Sequence, residues 1–235
     1  MDNRQFVARI AKTHGVNIDS LLDLALGVRC PGCARPGRMC PACRASLRAP
    51  PKCEAKPLAG ALLAHGGEYE GALRSILIHA KERQALTLLP QLGEVLARTV
   101  LALLANQEGV PLDSRAGLLL VPIPTQCSHV VERGLDLPLE LAKRAAKRLN
   151  SEGLTVRVHS GLVLIRKPAD QSNLGRSQRK ANLAGALRWA GPMPRARAIL
   201  VDDIATTGAT LNEAIRACRA AGVEVLGAAA IARTP

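Results

Sequence analysis

The chain has 235 residues with 48% hydrophobic composition and a formal net charge of +13, enough for one medium domain with a small appendage or for two small domains. It holds only three aromatic residues (Phe6, Tyr69 and Trp189), which argues against a surface that stacks nucleic-acid bases, while the basic balance favours phosphorylated or polyanionic ligands. There is no unbroken apolar run long enough to span a bilayer, and the N-terminus lacks a secretory pattern, so a cytoplasmic protein is expected.

Along the chain, residues 4–26 are expected to form one or two helices, with Ile10, Val16, Ile18, Leu21, Leu22 and Leu24 on the apolar side. Next comes a segment rich in cysteine, glycine and proline. Cys30-Pro31-Gly32-Cys33 and Cys40-Pro41-Ala42-Cys43 give a C-x2-C-x6-C-x2-C spacing. Each C-x-x-C turn aims two thiolates at one point, and two such turns make a closed tetrahedral site suited to structural zinc. An iron–sulfur centre or a redox dithiol are the rival chemistries. The odd total of seven cysteines argues against a disulfide framework. Cys53 is a substitute ligand at a poorer spacing, while Cys127 and Cys218 read as ordinary small residues. Residues 49–57, rich in proline, look like a linker.

Beyond residue 58 the pattern alternates between helices and strands. Helices are expected over 69–80, 88–104, 137–149 and 211–221, and strands over 116–123, 161–165, 198–201 and 223–231. Pro90 falls in a first helical turn, where it is tolerated. Strands separated by helices imply a parallel, doubly wound α/β sheet.

Within this pattern, Ile199-Leu200-Val201-Asp202-Asp203 carries two neighbouring acids to the carboxyl end of a buried strand. The turn Ala205-Thr206-Thr207-Gly208-Ala209-Thr210 then leads directly into a helix. Small residues leave the backbone N–H groups accessible to a phosphate, and the helix start adds a favourable dipole. Asp202 and Asp203 would repel that phosphate, so they suit a sugar diol or an ion.

The stretch resembles the phosphoribosyl pyrophosphate signature of type I phosphoribosyltransferases. The resemblance implies that Asp202 and Asp203 contact the ribose hydroxyls, that Ala205 to Thr210 hold the 5-phosphate, and that Mg²⁺ bridges pyrophosphate and ribose oxygens. With the four-cysteine segment included, most of the chain resembles the ComF family (ComFC and GntX-like proteins), linked to natural competence and DNA uptake. Tyr69-Glu70-Gly71-Ala72-Leu73-Arg74-Ser75-Ile76, with Lys81 close behind, is similar to a helix of that family. Val121-Pro122-Ile123-Pro124 followed by Glu132-Arg133-Gly134 is similar to its first nucleotide-site loop, and Arg133 is a candidate pyrophosphate ligand. Gln171-Ser172-Asn173-Leu174, then Arg179 and Asn182, is similar to a further family segment, and the basic stretch 166–188 reads as a lid over an anion. The chain departs from the family at Ser128-His129 and at Leu135-Asp136-Leu137, where relatives carry further cations and Phe-Asn-Gln.

The expected architecture is a helix and zinc finger over 1–57, then a phosphoribosyltransferase-type domain over 58–235. Two functions compete. One is a transferase acting on phosphoribosyl pyrophosphate, for which no acceptor is legible. The other is a non-enzymatic adaptor or nucleotide-sensing regulator that contacts single-stranded DNA, a competence helicase or adaptor proteins.

Overall fold

A computed structural model describes residues 27–82, 85–107, 117–125, 135–166, 183–192 and 196–235. The helices expected within 4–26, Cys127, His129, Arg133 and most of the basic 166–188 stretch lie outside the described residues.

Chain order gives α1 (Pro41–Ser46), β1 (Lys52–Leu58), β2 (Ala61–His65), α2 (Gly71–Glu82), a 3₁₀ turn (Leu86–Leu88) running into α3 (Leu89–Ala105), and β3 (Leu118–Pro122). Then follow α4 (Leu137–Ser151), β4 (Val156–Val158), β5 (Leu162–Leu164), β6 (Leu187–Trp189), β7 (Arg197–Ala205), α5 (Ala209–Ala220) and β8 (Val225–Arg233). Among the described residues, six strands form one sheet in the order β1-β2-β8-β7-β3-β4, and β5 and β6 form a separate antiparallel pair. The main sheet is parallel except where β1 pairs antiparallel with β2.

The segment 49–57 is therefore not a linker throughout. Its prolines mislead because β1 is an edge strand, where a missing N–H costs no ladder bond. The register of β1 against β2 also shifts between Glu54 and Leu58, the interval that holds Pro57.

Both faces of the sheet are covered, which is why the central strands are apolar throughout rather than alternating. On one face Leu120, Ile199, Val201, Ala229 and Ile231 pack with Leu92, Leu96, Leu103, Leu141 and Leu149 of α3 and α4. On the other, Leu119, Val121, Leu200 and Ala228 pack with Leu211, Ala214 and Ile215 of α5 and with Leu187 and Trp189 of β6. The stretch Leu86–Ala105 is long and apolar enough to cross a bilayer, at mean hydropathy 1.5, but 61% of that window is buried in the molecule, as in a core helix.

Local signals set the helix starts. Asp136 caps α4 by accepting from the Leu139 N–H at 3.4 Å, with Pro138 in the first turn. Glu213 of α5 holds β6: its carboxylate accepts from the Leu187 N–H (3.1 Å) and from Arg216 (2.7 Å), and Arg216 also donates to the Leu187 carbonyl. Burial pushes the Glu213 carboxyl up, but Arg216 and the amides of Leu187 and Gly185 outweigh it and hold the group below its ordinary range.

Candidate functional site

The chain leaves β3 through α4 toward β4 on one side, and leaves β7 through α5 toward β8 on the other. Neighbouring strands whose crossovers diverge open a crevice at their carboxyl ends, the usual ligand position in such sheets. A cavity of about 180 Å³ lies there, lined by Ile123, Pro124 and Thr125 after β3, by Leu135, Leu137 and Pro138 at the start of α4, and by Lys81, Asp202 and Asp203.

The strand β7 continues through both acids to Ala205, four residues past the expected end. Because side chains alternate along a strand, the two acids leave the backbone on opposite faces. Asp203 follows Val201 toward the α2 side and meets Lys81, whose Nζ lies 2.7 Å from Asp203 Oδ2. Asp203 is only 7% exposed, so this ion pair is largely out of water. Asp202 folds back on the chain, its Oδ1 accepting the Asp203 N–H at 2.8 Å. Burial, then the Asp203 charge, push the Asp202 carboxyl well above the ordinary carboxylate range, against the opposing pull of Lys81 and the Asp203 amide. Nearby, the Thr125 hydroxyl donates to Asp136 Oδ1 at 3.2 Å, tying the loop after β3 to the start of α4.

The turn after the acids is shaped by one glycine. Gly208 stands at φ 72 as the cap of α5, a left-handed conformation that L side chains resist. A Cβ there would also lie 2.8 Å from Leu58 Cδ2 of β1. Thr206 is exposed, and Thr207 Oγ1 accepts the Ala209 N–H at 3.4 Å, a long bond. Thr206, Thr207 and Gly208 therefore form the short turn that joins the end of β7 at Ala205 to the start of α5 at Ala209 and Thr210, at the carboxyl edge. Lys81 joins the acids from α2, a placement that local pattern did not announce.

The cysteine segment closes on itself. The sulfurs of Cys30, Cys33, Cys40 and Cys43 all lie within 4.8 Å of one another, and Cys33 and Cys40 sulfurs stand 3.7 Å apart. Four sulfurs at about 2.3 Å from one zinc would be separated by about 3.8 Å. A disulfide needs about 2.05 Å, so these are free thiols in a metal-sized arrangement. Such a compact set suits one ion, not a cluster of several. Backbone N–H groups point at the sulfurs, Cys40 N to Cys30 Sγ at 3.4 Å and Cys43 N to Cys40 Sγ at 3.5 Å. Burial pushes the Cys30 thiol up, yet the amides of Cys40, Cys33 and Gly32 bring it down to about 6. Cys43 is driven far up by burial and by its sulfur neighbours. A set that cannot ionise together unaided is what a divalent cation resolves. Cys53 instead lies on β1 opposite Ala64, packed against the core, and Cys218 is buried in α5, its thiol pushed up to about 12 by burial.

Residues 136–235 match the family model of the phosphoribosyl transferase domain. The matched stretch runs from the α4 cap to the end of the chain and contains the acid pair and the turn, but neither β3 nor the cysteine cluster. No curated protein matches the chain.

Proposed function

We propose, from the phosphoribosyl transferase domain in this chain, that the crevice between β3 and β7 binds phosphoribosyl pyrophosphate and supports transfer of its phosphoribosyl group. The observation that carries this reading is the acid pair followed by the Gly208 turn at the point where the crossovers diverge. Asp202 and Asp203 would accept hydrogen bonds from the ribose hydroxyls. The amides and hydroxyls of residues 205–210 would surround the 5-phosphate at the start of α5. Arg133 would hold pyrophosphate. Mg²⁺ fits the hard oxygens of this ligand and would neutralise the leaving pyrophosphate.

In the transfer itself, the bond from the anomeric carbon to pyrophosphate breaks as a bond to the acceptor nitrogen forms on the opposite face. The protein's part is to fix the sugar and stabilise charge, and no covalent nucleophile is required. Calorimetry with phosphoribosyl pyrophosphate and Mg²⁺, beside pyrophosphate release across a panel of nucleobases and amines, tests the reading. Saturable binding lost in Asp202→Asn with Asp203→Asn supports it. Unchanged binding in that variant sinks it.

The four-cysteine module, with zinc as its proposed ion, and the loop signature together favour a ComF-type role in DNA uptake. A second reading, a non-enzymatic adaptor, draws on the arginines around that module. Arg44, Arg48 and Arg98 line a groove of about 660 Å³, and Arg29, Arg38, Arg44 and His79 line another of about 640 Å³. Single-stranded DNA binding that weakens steeply with salt, and weakens further in Arg44→Glu with Arg48→Glu, would favour the adaptor.

A further inference from the structure

Helix α2 touches the cysteine module at one end and the acid pair at the other. In its first turn, Ala72 lies so near the Cys30–Cys33 turn that a methyl group added at Gly32 would stand 3.3 Å from the Ala72 Cβ and 2.6 Å from Cys43 Sγ. Leu47, the residue after α1, is buried in one cluster with Leu73, Ile76, Leu77 and Ala80 of α2. Arg98 of α3 adds a second attachment of the module, donating to the carbonyls of Leu47, Arg48 and Ala49. About 13 Å further along α2, Lys81 meets Asp203 at 2.7 Å.

The chemistry at that far end is unforgiving. A buried carboxylate stripped of its cation keeps its desolvation cost, and here a second carboxylate sits beside it. With Lys81 displaced, the pair would be driven to move, and the turn 205–208 continues directly from it. We propose that α2 is a strut through which the metal-loaded cysteine module places Lys81, and that Lys81 is the positioning residue for the acid pair and the turn behind it. Metal occupancy and order at the sugar-phosphate site are thereby linked. The consequence for ligand affinity rests on the proposed function; the strut does not.

The test is hydrogen exchange in the ligand-free protein, in wild type and Lys81→Met, each with zinc loaded and with zinc removed by chelation. Lys81→Met is expected to speed exchange at the Asp203–Gly208 amides by about tenfold or more while keeping its metal, and Lys81→Arg to restore wild-type protection. Chelation should speed the same amides in wild type but add less than about threefold in Lys81→Met, because both changes act through one contact. Independent, additive effects, or no change at these amides on chelation, would overturn the strut. If chelation unfolds the whole chain, zinc-loaded Arg98→Gln takes its place as the perturbation of the module, with the same expectations. Affinity for ribose 5-phosphate, without Mg²⁺, is read in parallel. It should weaken by about tenfold in Lys81→Met and recover in Lys81→Arg. Absence of any sugar-phosphate binding in wild type would defeat the proposed function, and the exchange data would still decide the strut.

Discussion

The cysteine module and the acid pair solve the same problem by opposite means. Each gathers groups that repel one another once ionised, four thiols in one case and two carboxylates in the other. The acid pair carries its own counter-cation, Lys81, delivered by a distant helix. The thiols have backbone N–H groups, which settle Cys30 and Cys40 but leave Cys43 driven upward. A site balanced from within can stand ready for a ligand, whereas one balanced from outside depends on its ion for its shape.

The largest effect expected from this contrast is metal loss. Zinc analysis should give about one ion per chain, and Cys30→Ser should lose the ion together with the order of residues 27–50, since zinc binding in such modules supplies on the order of 10 kcal/mol. A metal-free Cys30→Ser protein that keeps wild-type protection over 27–50 would show that the cysteine module holds its shape without an ion. Next in size is the acid pair: Asp202→Asn with Asp203→Asn should weaken phosphoribosyl pyrophosphate by about a hundredfold, about 2.7 kcal/mol. A smaller effect belongs to the turn. Gly208→Ala places a Cβ at φ 72 and against the buried Leu58, at a cost of about 2 kcal/mol in chemical denaturation, with ligand affinity falling alongside. Unchanged stability there would mean that the turn rearranges without cost.

How far the sequence discloses this molecule depends on how local each feature is. The cysteine spacing and the run from Ile199 to Leu211 are legible because strand, turn and helix start lie within a few residues, and each residue type has one dominant use there. Helices α3, α4 and α5 follow from their periodicity, within a residue or two at each end. The strand β1 is hidden because proline at an edge strand looks the same as proline in a linker. The strand β7 runs on past Asp202 because its ladder with β8 extends to Arg233, which no pattern within β7 encodes. Lys81 pairs with Asp203, and Arg98 with the carbonyls after α1, through contacts between residues far apart in the chain. Such partners become visible only when the sheet order is known.

The finest probe of internal balance is Asp202 itself. Its carboxyl is raised mainly by burial and then by Asp203, so the folded protein holds this proton more tightly than the unfolded chain does. The group therefore contributes stability below its ordinary carboxylate range, and that contribution is lost as pH climbs through the raised value. Asp202→Asn removes the charge and the penalty together. The ligand-free variant should melt above wild type by about 2–4 °C at pH 8, as for about 1 kcal/mol, and by less at pH 5. Ligand binding should move the other way with pH, because the ionised carboxylate is the better acceptor for a ribose hydroxyl, so wild-type affinity should rise as Asp202 deprotonates. A melting difference that is flat with pH would show that Lys81 balances both acids fully, and that the strain assigned to Asp202 is absent.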